Sequence, residues 1–219
     1  MRTFVIPDIH GNNKLFRKAL KEVGLRKSDR LILLGDLIDR GRESKEVLDT
    51  IFMLMETGFD IKVIRGNHEQ MLLDALADNK TIGFWLVNGG DRTLSSFLTS
   101  SIDKIPIKYI NFINSLPYYV EVNNCILVHA ALNMRTENPF SDIKTMLWER
   151  NPEKVANLKW LGNRTIIHGH QPRSQADIEH SIAGGDKILG IDNGTYLQAP
   201  GFGSLCIYEL ETKTPVFVK

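Results

Sequence analysis

The sequence predicts an α/β fold in which two β-sheets pack face to face with helices outside, an α/β/β/α sandwich. Three observations lead there. The first third alternates short apolar runs with amphipathic stretches, and Asp8, Asp36 and Asn67 recur at about one βαβ unit apart. From Tyr118 onward the chain becomes a series of apolar runs with little helical periodicity between them. Finally, six of the apolar runs end in the same way, on Asp, Asn or His. Outside the carboxyl ends of strands is where α/β proteins bind ligands.

Taken in order, Phe4–Pro7 reads as the first strand and runs into Asp8-Ile9-His10-Gly11. Asn12 or Asn13 can then cap a helix whose Leu15, Phe16, Ala19, Leu20 and Val23 share one face, with Gly24 as its stop. The strand Leu31–Leu34 leads into Gly35-Asp36-Leu37-Ile38-Asp39-Arg40-Gly41. A second helix starts near Ser44, turns Val47, Leu48, Ile51, Phe52 and Met55 to the core, and ends at Gly58. Ile61–Arg65 and Gly66-Asn67-His68-Glu69 complete a third unit. Parallel strands joined by right-handed crossovers follow from this alternation.

The stretch from about 70 to 115 is mostly helical, with polar breaks at Asp78-Asn79-Lys80 and Asn88-Gly89-Gly90. It is expected to form a helical insertion covering one side of the site, within one catalytic domain spanning 1–219. Within it, Trp85–Leu94 fits an amphipathic cover or a substrate contact equally well. The later strands are expected at Tyr118–Val122, Ile126–His129, Thr165–His168, Lys187–Ile191, Ser204–Leu210 and Val216–Val218. There is no internal repeat, and the scattered prolines mark turns.

With 42% hydrophobic and 24% charged residues, the 219-residue chain is an ordinary globular one able to bury a sizeable core. A net charge of +1 offers no electrostatic case for nucleic acid or a membrane surface. No apolar stretch approaches the roughly 18 residues of a membrane span. The first strand starts too early to leave room for a signal peptide's apolar core, so a cytoplasmic location is expected. Cys125 and Cys206 each sit inside an apolar run and are expected to be buried, reduced thiols.

Ligand chemistry comes from the strand ends. Asp8 and His10, two apart in extended chain, emerge on one side and can hold one ion together. Asp36 can bridge two ions through its two oxygens, and Asn67, His129 and His170 can complete the second. On spacing alone His168 serves as well as His170. Oxygen and nitrogen donors without thiolate suit manganese, iron or zinc. Two such ions clamp a displacement at phosphorus and make hydroxide available near neutral pH. No Ser, Cys or Asp stands out as a nucleophile.

The motifs Asp8-Ile9-His10-Gly11, Gly35-Asp36-Leu37-Ile38-Asp39-Arg40-Gly41 and Gly66-Asn67-His68-Glu69 resemble the three signatures of the phosphoprotein phosphatases, a family of calcineurin-like metallophosphoesterases. Val128-His129-Ala130 and Gly169-His170-Gln171-Pro172 resemble its two later histidine motifs. Trp148-Glu149-Arg150, Trp85–Gly90 and Ile191–Gly194 are similar to its short bacterial and phage branch. Pro7 departs from the pattern, standing where the family usually has Gly.

The resemblance implies two divalent ions, manganese foremost: Asp8, His10 and Asp36 on one, Asp36, Asn67, His129 and His170 on the other. It favours His170 over His168 as ligand. It pairs His68, a general acid for the leaving alkoxide, with Asp39, and makes Arg40 and Arg150 a phosphate clamp beside Asn67 and His68; a surface charge is the plain alternative for Arg150. The implied activity is phosphomonoester hydrolysis by direct attack of a metal-bound hydroxide, on phosphoserine or phosphothreonine in proteins. Symmetrical dinucleoside tetraphosphate hydrolysis is the alternative, with a non-catalytic phosphate-binding module behind it. The partner is thus a phosphoprotein or a small phosphorylated substrate, and the oligomeric state is not set by the sequence.

Overall fold

The computed structural model describes residues 1–219. Strands β1 (Thr3–Ile6), β2 (Arg30–Leu33) and β3 (Asp60–Val63) precede β4 (Tyr119–Val122), β5 (Cys125–Val128), β6 (Thr165–His168), β7 (Ile188–Gly190), β8 (Leu205–Glu209) and β9 (Thr214–Val218). They form a five-stranded sheet in the order β3–β2–β1–β8–β9 and a four-stranded sheet in the order β4–β5–β6–β7. As the spacing predicts, β1, β2 and β3 run parallel. So do β5, β6 and β7. Of the late strands, β8 returns to the first sheet antiparallel to β1, and β9 pairs antiparallel with β8 at its edge.

Period-two alternation decides what each sheet face meets. Phe4, Ile6, Leu31 and Leu33 face helices α1 (Asn13–Glu22) and α2 (Ser44–Glu56), while Val5, Ile32 and Leu34 face the second sheet. In that second sheet Leu127, Ile167 and Leu189 point inward, and Ile126, Val128 and Ile166 point to the far side. There they meet Met146 of α7 (Ile143–Trp148) and Leu161 of α8 (Leu158–Leu161). Each fully buried Leu, Ile or Val in these layers contributes about 1.5–3 kcal/mol.

Helix α1 begins where Asn12 accepts the Leu15 amide at 3.3 Å, and Gly24, at φ 55°, ends it. In α2 Val47, Leu48, Ile51 and Leu54 are buried, whereas Phe52 and Met55 reach only the margin of the core. The cover consists of α3 (Asn67–Ala77), α4 (Ile82–Trp85), α5 (Asp91–Ser96) and α6 (Ile107–Ser115). The chain breaks at Asp78, which ends α3, and at Gly89, which sits at φ 105° in a wide turn between α4 and α5. Both breaks fall where the polar clusters put them. A last helix, α9 (Gln175–Gly184), closes the second sheet between β6 and β7.

Cys206 is buried, but Cys125 is only half-buried, because it opens β5 at the rim of the second sheet. Both thiols are free. No helix is long and apolar enough to cross a membrane.

Candidate metal centre

Two parallel strand sets deliver their carboxyl ends to one place. From the first sheet come Asp8, His10, Asp36 and Asn67; from the second, His129, His170 and Asp192, and all of them are buried. The edges are sewn together by hydrogen bonds. His129 Nδ1 donates to the Leu34 carbonyl at 2.8 Å, the His170 amide donates to Asp8 Oδ1 at 2.9 Å, and the Gly169 amide donates to the His129 carbonyl at 2.9 Å. A side chain at Gly169 would collide with Asp8 Oδ1, so this crossing requires glycine.

The loops that make these turns are strained. His10, Asp36, Asp39, Arg40 and His170 all sit at positive φ, between 48° and 70°, whereas elsewhere only Leu98, Asn123 and Lys213 do so among non-glycine residues. Each such residue costs about 1–3 kcal/mol, and strain of this kind collects at functional sites. Glu69 does most to hold the turn. Its Oε2 accepts the Asp36 and Gly66 amides at 2.8 and 2.9 Å, and its Oε1 accepts the Leu37 amide at 2.8 Å. The sequence reading passed over Glu69; its one signal was its place as the acid at the third position of a helix that starts after Gly66.

One arrangement identifies the chemistry of the donor set. Because His129 donates from Nδ1 and burial pushes its pKa down to about 3, the ring is neutral and Nε2 carries a bare lone pair. That lone pair lies 2.8 Å from Asn67 Oδ1 and 3.2 Å from His170 Nδ1, with Asp36 Oδ1 3.5 Å away. His170, pushed down to about 2 by burial and by His129, is neutral as well. His170 Nδ1 also lies 2.9 Å from Asn67 Oδ1, and this convergence of oxygen and nitrogen atoms fits a cation. His10 repeats the pattern: Nδ1 donates to the Ile38 carbonyl at 3.1 Å, leaving Nε2 at 3.7 Å from Asp36 Oδ2 and 3.8 Å from Asp8 Oδ2.

The groups near enough to share an ion are His10, Asp36 and His68, and Asp36, His129 and His170. Asp36 belongs to both, as a bridging carboxylate should. The first group thus includes His68 and leaves out Asp8, whose Oδ2 nevertheless stands 3.8 Å from His10 Nε2. What sets His68 apart is its partner, since its Nδ1 lies 2.8 Å from Asp39 Oδ2. Burial drives the carboxyls of Asp8, Asp36 and Asp192 well above their ordinary range. A divalent ion among them would draw these carboxyls back down, and a neutral imidazole is the form that binds it.

His168 does not join the cluster. Its Nδ1 is held by the Gly169 carbonyl at 3.0 Å, and its ring lines a polar cavity of about 290 Å³ with Arg150, Gln171 and Arg173. Arg150 is exposed on that cavity's wall and makes no hydrogen bond to the ligand cluster, although its charge is felt by His170. Arg40 is inside the site, with NH1 2.8 Å from His10 Nε2. A larger cavity, about 660 Å³, lies elsewhere, between α1 and the segment around Phe202.

The cover touches the site directly, a third outcome beside the two the sequence left open. Trp85 Nε1 donates to Asp39 Oδ2 at 3.0 Å and Thr93 Oγ1 to Asp39 Oδ1 at 2.6 Å, while the Gly89 carbonyl accepts the Arg40 amide at 3.3 Å. Burial pushes Asp39 up and His68 down, with Arg40 adding to the latter. A neutral acid–imidazole pair and an ion pair differ here by one proton moved along a 2.8 Å hydrogen bond.

A sequence profile described as calcineurin-like phosphoesterase matches residues 1–201. Over 89 residues, 40% of this chain and 38% of the relative, the sequence is 43% identical to serine/threonine-protein phosphatase 1 of Salmonella typhimurium. It is 30% identical over 133 residues, 60% of this chain and 45% of the relative, to the symmetrical bis(5'-nucleosyl)-tetraphosphatase of Nitrosomonas europaea. The matches thus span less than half the length of these relatives. In fold, a protein serine/threonine phosphatase from Saccharomyces cerevisiae superposes with a TM-score of 0.67 at 17% identity, over 94% of this chain and 72% of that one.

Proposed function

The chain belongs to the calcineurin-like phosphoesterase family, and from that premise we propose that it is a two-metal phosphomonoesterase acting on phosphoserine and phosphothreonine in proteins. The observation that supports the reading is the convergence of Asn67 Oδ1, His129 Nε2 and His170 Nδ1 beside Asp36, four oxygen and nitrogen atoms drawn to one point. Asp8, His10 and Asp36 would hold one divalent ion, and Asp36, Asn67, His129 and His170 the other; manganese is the first candidate. When bound, such a pair supplies Lewis-acid polarisation of the phosphoryl oxygens and an acidified water for attack.

The chain's own residues do the rest. Arg40 presents a planar guanidinium to the phosphoryl oxygens from inside the site, while Arg150, on the wall of the His168 cavity, adds its positive charge from farther off. The leaving alkoxide needs a proton, and His68 Nε2 is the group placed to give it, being 3.8 Å from Asp36 Oδ2 at the heart of the cluster. Asp39 orients the imidazole through Nδ1 and stabilises its charged form. The donors from Trp85 and Thr93 in turn keep Asp39 able to carry negative charge.

The tetraphosphatase relative supports a second reading, hydrolysis of a symmetrical dinucleoside tetraphosphate. Metal-stripped protein, with and without added Mn²⁺, offered p-nitrophenyl phosphate, its bis ester, a phosphoserine peptide and diadenosine tetraphosphate tests both. Mn²⁺-dependent turnover of the monoester and the peptide supports the phosphatase. Turnover of the tetraphosphate alone replaces it with the second reading, and preference for the bis ester removes both.

A further inference from the structure

Tyr196 has no part in the machinery above, yet it lies against it. It is carried by the segment between β7 and β8, which is anchored on every side. The Asn193 side chain donates to the carbonyls of Arg173 and Gly201 at 2.9 and 2.8 Å and accepts the Ser204 amide at 2.9 Å. The Thr195 hydroxyl donates to the Ile9 carbonyl at 3.3 Å, tying the segment to the Asp8–His10 turn. Gly194, at φ 66°, makes the bend that sends the next residues back over the site.

The Tyr196 ring thereby reaches two groups at once. It stands edge-on to His10, with centroids 5.1 Å apart at 83°. The Arg40 guanidinium carbon lies 4.2 Å above its face. The other contacts of Arg40 are its amide on the Gly89 carbonyl and NH1 on His10. No carboxylate is salt-bridged to it, so nothing of opposite charge fixes this long, flexible side chain. The backbone under it is also constrained. Arg40 sits at φ 66°, and a Cβ on Gly89 would come within 2.5 Å of its amide nitrogen. The main chain is therefore gripped by the cover on one side, and the guanidinium plane is settled by an aromatic face on the other.

We propose that Tyr196 is a positioning residue that holds the Arg40 guanidinium toward the substrate phosphate through the face of its ring, not through its hydroxyl. This rests on the reading of Arg40 as a phosphate ligand. A cation–π contact of this depth converts to roughly a three- to thirtyfold effect on affinity. The ring is 39% exposed, so a replacement there need not disturb the core.

The test compares Tyr196→Leu and Tyr196→Phe, each with and without Arg40→Ala, at fixed Mn²⁺. The readouts are kcat and KM for p-nitrophenyl phosphate, orthophosphate inhibition, and orthophosphate binding by calorimetry where turnover is lost. Tyr196→Leu is expected to raise KM and weaken phosphate roughly three- to thirtyfold with a smaller change in kcat. Tyr196→Phe should stay within about twofold, and Tyr196→Leu should add nothing once Arg40 is Ala. The proposal is overturned if phosphate affinity is unchanged in Tyr196→Leu, if Phe is as impaired as Leu, or if the Leu effect persists in full without Arg40. An Arg40→Ala protein that binds phosphate normally overturns instead the reading on which the proposal stands. Metal content and melting temperature, measured for each variant, identify any loss that comes from misfolding.

Discussion

His68 follows Asn67 in the chain and both are buried in one cluster, but substitution should separate their jobs. His68→Ala removes the group aimed at the leaving oxygen, and kcat should fall about 10²–10⁴-fold. Bound metal, counted by plasma mass spectrometry, should stay near wild type, because Asn67, His129 and His170 keep their geometry. Loss of an ion in this variant would instead make His68 a ligand, as its 3.8 Å approach to Asp36 allows. The same count applied to the last histidine pair should show His170→Ala losing one ion and His168→Ala none. Here the spacing left two histidines equal and the fold parted them: His170 is at φ 66°, turned toward Asn67, while His168 ends β6 facing the opposite cavity.

Among elements, the junction of α3 with the second loop matters most, since Asp36 and Asn67 both depend on it. Glu69→Gln keeps the shape but turns an amide N–H₂ toward backbone donors that now share a carboxylate. Equilibrium denaturation should show a loss of about 1–3 kcal/mol, and metal affinity should fall with it. Equal stability for the two proteins would remove Glu69 from this role. The strands and the Asp, Asn and His residues gathered at their ends were legible because an apolar run followed by Asp, Asn or His is a local signal. The partners of Asp39 were not. Trp85 and Thr93 lie 46 and 54 residues away on the cover, and helical periodicity says that they are buried without saying against what. Likewise β8 and β9 read clearly as strands, but nothing local told which sheet they would join.

For the molecule as a whole, protons report on the metal. In the metal-free protein burial raises the carboxyls of Asp8, Asp36, Asp39 and Asp192 well above the unfolded value near 3.9. The native state therefore binds more protons than the unfolded chain, and stability must fall as pH rises toward those raised values. The buried histidines act in the opposite sense, but only below about 6.5, where the unfolded chain would take up protons. Melting temperatures of stripped protein should fall as pH rises through the raised carboxyl range, and the increment given by Mn²⁺ should grow over the same range. A flat profile with a constant increment would sink the assignment of Asp8 and Asp36 to a cation site.

The hydrogen bond from the His170 amide to Asp8 spans 162 residues, and His129 reaches back 95 to Leu34. During synthesis at about 5–20 residues per second, roughly 8–30 seconds separate the first aspartate from its partner. A nascent chain thus carries Asp8, His10 and Asp36 long before His129 and His170 exist, and the group around Asn67 is completed only when the strands of the second sheet have been made.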